Sequence, residues 1–116
     1  MASRTRYYLR LPEPAKARGS DPELAFSSES PDGLAAELQQ ALRGNELFER
    51  WRVRQDDPDA IDPLLGATDA EASVRGEQHT LAIDLVATTT LPGGVFKHRL
   101  RLLAGNGWEL RDVTAG

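Results

Sequence analysis

His79–Val113 reads HTLAIDLVATTTLPGGVFKHRLRLLAGNGWELRDV, and the pattern of this stretch decides the fold. Ile83, Leu85 and Ala87 alternate with Asp84, Val86 and Thr88, the period of a half-buried strand. Placing Gly93-Gly94 as a two-residue hairpin turn pairs Ala87 with Leu100, Leu85 with Leu102 and Ile83 with Ala104. Those positions form an apolar face, with Leu91 and Phe96 at its turn end. A three-residue loop, Gly105-Asn106-Gly107, then keeps the pattern in phase and sets Trp108 opposite Ala104 and Leu110 opposite Leu102. A two-residue turn there places Glu109 or Arg111 against Leu102, which the hydrophobic pattern rejects. The expectation is a C-terminal three-strand antiparallel meander.

Working outward from it, Arg4 to Leu11 alternates Tyr7, Leu9 and Leu11 against Arg6, Tyr8 and Arg10, a further strand. Pro12, Pro14, Gly19 and Pro22 punctuate a loop, and Glu23 to Ser28 is a weaker strand candidate around Leu24 and Phe26. Ser30-Pro31 is a helix start, a capping hydroxyl followed by proline at the first helical position. Leu34, Leu38, Ala41 and Leu42 then make one apolar stripe. Gly44-Asn45 ends that helix and caps a second, which carries Leu47, Phe48 and Trp51 inward; one bent helix is the alternative. Residues 55–78 form an irregular acidic segment. Asp57-Pro58 starts a single turn, Thr68 to Glu71 fits a short capping box, and from Asp56 to Glu77 seven acids face only Arg75.

The predicted architecture is a single α+β domain over residues 1–116. It has an antiparallel sheet of four to five strands and one or two helices packed on one face. The first strand flanks either end of the meander. A chain of this length buries about two-thirds of the surface it exposes when unfolded. No apolar run reaches the ~20 residues of a membrane helix, and Met1 to Arg10 lacks the apolar core of a secretory signal, so a cytoplasmic protein with no membrane partner is expected. The absence of cysteine removes disulfide, thiolate and cysteine–zinc chemistry.

If the first strand joins the meander, the outward face of the sheet gathers Arg4, Arg6, Arg10, Lys97, Arg99, Arg101 and Arg111 around Tyr8. Only Asp84 and Glu109 oppose them. Such a surface could track a phosphate backbone and stack a base, although a net charge of −4 runs against nucleic acid as an obligatory partner. Val86 and Leu103 are apolar residues on the same face, candidates for the centre of a protein interface. Asp56, Asp57, Asp59 and Asp62 lack the glycine and distal glutamate of a calcium loop. His79 and His98 have inward parity on different strands with no third ligand, so no metal is expected. The helix–Gly44-Asn45–helix segment is a poor DNA reader, because Glu46 and Glu49 would meet phosphates. No catalytic motif and no cofactor signature is visible.

By elimination the expected function is a non-enzymatic interaction module. It binds a protein partner, or its own copy as a homodimer, through a sheet edge or the face around Val86 and Leu103. Polyanion binding by the basic face is the alternative, followed by a small enzyme whose site is not visible in sequence.

Overall fold

The computed structural model describes residues 3–116. Its elements in chain order are β1 (Thr5–Leu11), α1 (Pro31–Arg43), α2 (Glu46–Arg52), β2 (Ser73–His79), β3 (Ala82–Thr89), α3 (Gly93–Ala104) and β4 (Glu109–Ala115), with short 3-10 turns at Pro14–Lys16, Pro58–Ala60 and Pro63–Gly66. The four strands form one antiparallel sheet in the order β2-β3-β1-β4. The domain is α+β, as its patterning predicts.

The locally specified elements form as read. β1 buries Tyr7, Leu9 and Leu11, and β3 buries Ile83, Leu85 and Ala87. Ser30 caps α1 by accepting a hydrogen bond from the Gly33 amide at 3.0 Å, and Leu34, Leu38, Ala41 and Leu42 are buried against the sheet. β2 and β3 meet in a two-residue turn at Thr80–Leu81, with Thr80 at φ 56°, a region that a β-branched residue enters only under strain.

The meander is corrected. Its middle strand is the helix α3, so Leu100, Leu102 and Ala104 do not pair with β3; the neighbours of β3 are β1 and β2. The ambiguity has a simple source. Phe96, Leu100 and Ala104 are spaced by four, which satisfies an alternating strand and one face of a helix equally. The deciding positions are Val95, Arg99 and Leu103, which are buried beside them, as a helical stripe requires. Propensity agrees, since Lys97 to Ala104 contains no β-branched residue. α3 stops at Gly105, whose φ of 59° and whose Cβ position, 2.6 Å from the Arg18 carbonyl oxygen, both demand glycine.

Three smaller expectations also change. Glu23 to Ser28 is an irregular strap with Leu24 and Phe26 buried, tied down where the Phe26 amide donates to the Leu103 carbonyl at 2.9 Å. Asn45 makes no side-chain cap to α2. Thr68 to Glu71 starts no helix, and the last part of the acidic segment is the edge strand β2.

Both α1 and α3 lie on one face of the sheet, where their apolar residues join those of β1 and β3 in a single core. Tyr7 stacks on Phe96 at 4.1 Å between ring centroids. The opposite face carries no helix, and one edge of the sheet is left bare. Those two surfaces are where function can sit.

Candidate functional site: the open sheet face and its bare edge

Strand pairing lays the open face out in three rows across β2, β3, β1 and β4. The upper row is Ser73, Thr88, Arg6 and Thr114; the middle row is Arg75, Val86, Tyr8 and Asp112; the lower row is Glu77, Asp84, Arg10 and Glu109. In the lower row the Arg10 guanidinium grips Asp84 bidentately, Nε to Oδ1 at 2.7 Å and Nη2 to Oδ2 at 3.0 Å. That hydrogen-bonded pairing holds the Asp84 carboxyl below the usual carboxylate range. In the middle row, hydrogen bonding to Arg6 and then Thr114 lowers the Tyr8 phenol from its ordinary value.

β4 contributes an irregularity. Its register against β1 shifts by one residue between Tyr8 and Leu9, so that Leu110 faces Leu9 while Asp112 faces Tyr8. Arg111 is the extra residue of this bulge. It reaches Glu109 at 3.6 Å and lines a shallow hollow together with Asp112, Tyr8 and Arg10. Arg111 and Asp112 therefore share the open face, whereas Leu110 and Val113 share the opposite one.

The expected basic surface is not assembled. Arg6, Tyr8, Arg10 and Arg111 lie on the open face, but Lys97, Arg99 and Arg101 are on α3, behind the sheet. Arg4 turns to the end of the sheet, where Nη1 lies 3.3 Å from Asp69 and Nη2 3.3 Å from Glu71. On the face itself Arg6, Arg10, Arg75 and Arg111 are matched by Glu77, Asp84, Glu109 and Asp112. Four cations against four anions give no excess positive charge with which to hold a phosphate backbone. The proposed pair Val86 and Leu103 is also separated: Val86 is half-buried at the centre of the open face, while Leu103 is in the core under the strap.

Arg99 has a different role, which sequence reasoning missed. Its side chain is fully buried, and its guanidinium donates to the carbonyls of Ala41 at 2.5 Å, Leu65 at 2.9 Å and Ala67 at 2.8 Å. It also lies over the Phe48 ring, 5.8 Å from the centroid. One cation thus ties the C-terminal turn of α1 to the 63–67 segment, with no carboxylate among its hydrogen-bond partners. The signal in sequence was an arginine inside a helical apolar stripe. It becomes visible only once residues 93–104 are read at the helical period.

Asp69 is a second polar knot. It accepts from the Thr89 hydroxyl at 2.9 Å, the Thr90 amide at 2.9 Å and the Glu71 amide at 3.1 Å. Burial pushes its carboxyl up, but the Thr90 and Glu71 amides, the Thr89 hydroxyl and Arg4 together hold it below its ordinary value.

The two sheet edges are handled differently. β2 is covered over its first half, while Glu77–His79 stay exposed: the Gln39 side chain accepts the Val74 amide hydrogen at 3.0 Å, Arg43 donates to the Ala72 carbonyl at 2.6 Å, and α1 packs so near that a Cβ on Gly76 would lie 2.4 Å from the Pro31 carbonyl oxygen. β4 is bare, with all seven residues exposed. Leu110 and Val113 point to the helical side, where the neighbouring Tyr7 and Leu9 are buried, yet they remain 39% and 46% exposed because the helical layer stops short of them. The Val113 amide donates to the Asp112 side chain at 2.8 Å.

The remaining candidates are structural. His79 is exposed at the end of β2, and His98 packs edge-on against Trp51 at 4.5 Å, so neither has the inward strand position expected of it. Burial, then the nearby Arg99 and Arg101 charges, push His98 below its ordinary value. Asp62 caps the 3-10 turn at Leu64, and among the described residues no group of three or more acids and histidines is placed to hold a metal ion. A groove runs between the strap, α1 and α2, and two of its charged side chains are engaged within the fold. Glu37 accepts the Ser27 and Ser28 amides, and Arg50 donates to the Glu23 carbonyl. No helix among the described residues is long and apolar enough to cross a membrane. No protein-family model, no curated protein and no solved structure matches this chain.

Proposed function

We propose that this chain is a protein-interaction module that docks a partner by strand addition at the free edge of β4. The observation carrying this reading is the exposure of Leu110 and Val113 on the helical side of an unpaired edge strand. A partner strand laid along β4 would satisfy the outward-facing backbone groups, taking the Val113 amide from its Asp112 contact, and would cover both side chains at once. The open face offers less. Its charges balance, its strongest pair is already made between Arg10 and Asp84, and its apolar content is confined to Val86 and the Tyr8 ring.

The test is a photo-crosslinking amino acid placed at Leu110, compared with one at Leu81. Leu81 is 84% exposed on the hairpin turn between β2 and β3, away from the free edge. A discrete adduct from position 110 alone, lost when Val113→Lys is added, is the expected result. Equal labelling from both positions, or none from 110, overturns the reading.

A further inference from the structure

We infer that the strand docking on β4 is β4 of a second copy of this chain, in one antiparallel register; this rests on the edge reading above and names its occupant. The bulge in β4 selects this partner. In a regular strand successive side chains alternate between faces. Along β4 the bulge interrupts that alternation. Glu109 is on the open face, Leu110 on the helical face, Arg111 and Asp112 both on the open face, Val113 on the helical face and Thr114 on the open face.

A regular partner strand in phase with Glu109 and Leu110 is out of phase by Val113, so its apolar residues would meet charge at one end. A second β4 carries the same irregularity. Read in either direction the order of faces is identical, so two copies running antiparallel about an axis between Arg111 and Asp112 stay in phase throughout. Bulges and charges on an edge ordinarily repel indiscriminate pairing; here they admit the one strand that shares them.

The chemistry of that register is self-complementary. On the helical face Leu110 of each copy meets Val113 of the other, which closes the four exposed apolar side chains into one cluster. On the open face Arg111 of each copy meets Asp112 of the other, giving two opposite-charge pairs, and Glu109 meets Thr114. No like charges face each other. The product is a continuous eight-stranded sheet in which β4 is no longer an edge, with all helices on one side.

The symmetry of the charge pairs supplies the test. Purified wild-type protein is followed by sedimentation over a concentration series, together with Arg111→Asp, Asp112→Arg and an equimolar mixture of the two. Arg111→Asp places only carboxylates at the two central positions, and Asp112→Arg places only guanidiniums there. Each variant alone should self-associate at least about tenfold more weakly than wild type. Their mixture should recover dimer, because every central pair is then again an arginine facing an aspartate. Melting temperatures equal to that of wild type at a concentration low enough for all three to be monomeric show that the variants remain folded.

A dimer indifferent to both substitutions, or weakened by them but not restored by mixing, overturns the register. A wild-type protein that stays monomeric overturns the second copy. If that monomer still crosslinks from position 110 to a different protein, the edge reading survives without it; if it crosslinks to nothing, both fall.

Discussion

The two edges of this sheet solve one problem in opposite ways. β2 has little hydrophobicity of its own, with Val74 its only large apolar residue and Gly76 at its centre. Its first half is nonetheless covered, because α1 lies against it, Gln39 takes its first free amide and Arg43 takes the carbonyl just before it. β4 carries Leu110 and Val113 but receives no helix. An edge strand is therefore protected by what the helical layer reaches and not by its composition. In this molecule the more apolar edge is the one left open.

The contrast is broken most severely through Arg99, which holds the helical layer in place. Arg99→Met leaves the carbonyls of Ala41, Leu65 and Ala67 without their donor. It should cost about 3 kcal/mol or more in chemical denaturation. Gly76→Val strikes the covered edge directly, because the new side chain collides with the Pro31 carbonyl. Overpacking of this kind should cost about 1–3 kcal/mol and lift α1 from β2, read as faster hydrogen exchange at Val74.

Thr80→Gly sharpens the comparison in the other direction. Removing the β-branched side chain at φ 56° should stabilise the β2–β3 hairpin by up to about 1 kcal/mol, seen as a higher melting temperature.

Acidification probes the helical layer through His98. Its folded-state pKa lies below its ordinary value, so the unfolded chain binds this proton more readily. Stability is then complete above about pH 6.5 and falls as the pH drops below it. His98→Gln should flatten that decline. Asp69 and Asp84, also depressed, lose their contributions only below about pH 4.

The smallest effect on stability belongs to the bare edge. Val113→Thr should change the unfolding free energy by no more than about 0.5 kcal/mol, because the position is exposed. A larger loss measured at high protein concentration, and absent at low, would itself report association through β4.

The legible parts of this fold are those whose pattern is local. β1 and β3 show clean alternation, and α1 announces itself by Ser30-Pro31 and a four-residue stripe. The α3 segment matches a strand as well as a helix because Phe96, Leu100 and Ala104 suit both periods. At the strand period Lys97, Arg99 and Arg101 fall on the open sheet face; at the helical period they leave it, and the basic surface goes with them. β2 escaped notice because SVRGEQH lacks an apolar pattern, its place being secured by β3 on one side and α1 above. Of the candidate surface, a sheet edge as such could be anticipated from the strand content, although the edge expected was that of a meander which does not form. Which edge is free, and that Val86 and Leu103 lie in different layers, was not readable.

The α+β class, the inward faces of β1 and β3, and the capped start and apolar stripe of α1 follow from the residues alone. Each follows from spacing within one segment, where burial of one face imposes a period. Long-range packing sets β1 inside the sheet, makes Arg99 a core tie and leaves β4 as the exposed edge. Those facts depend on which distant segments meet, and a strand's pairing partners and a helix's reach are not properties of its own residues.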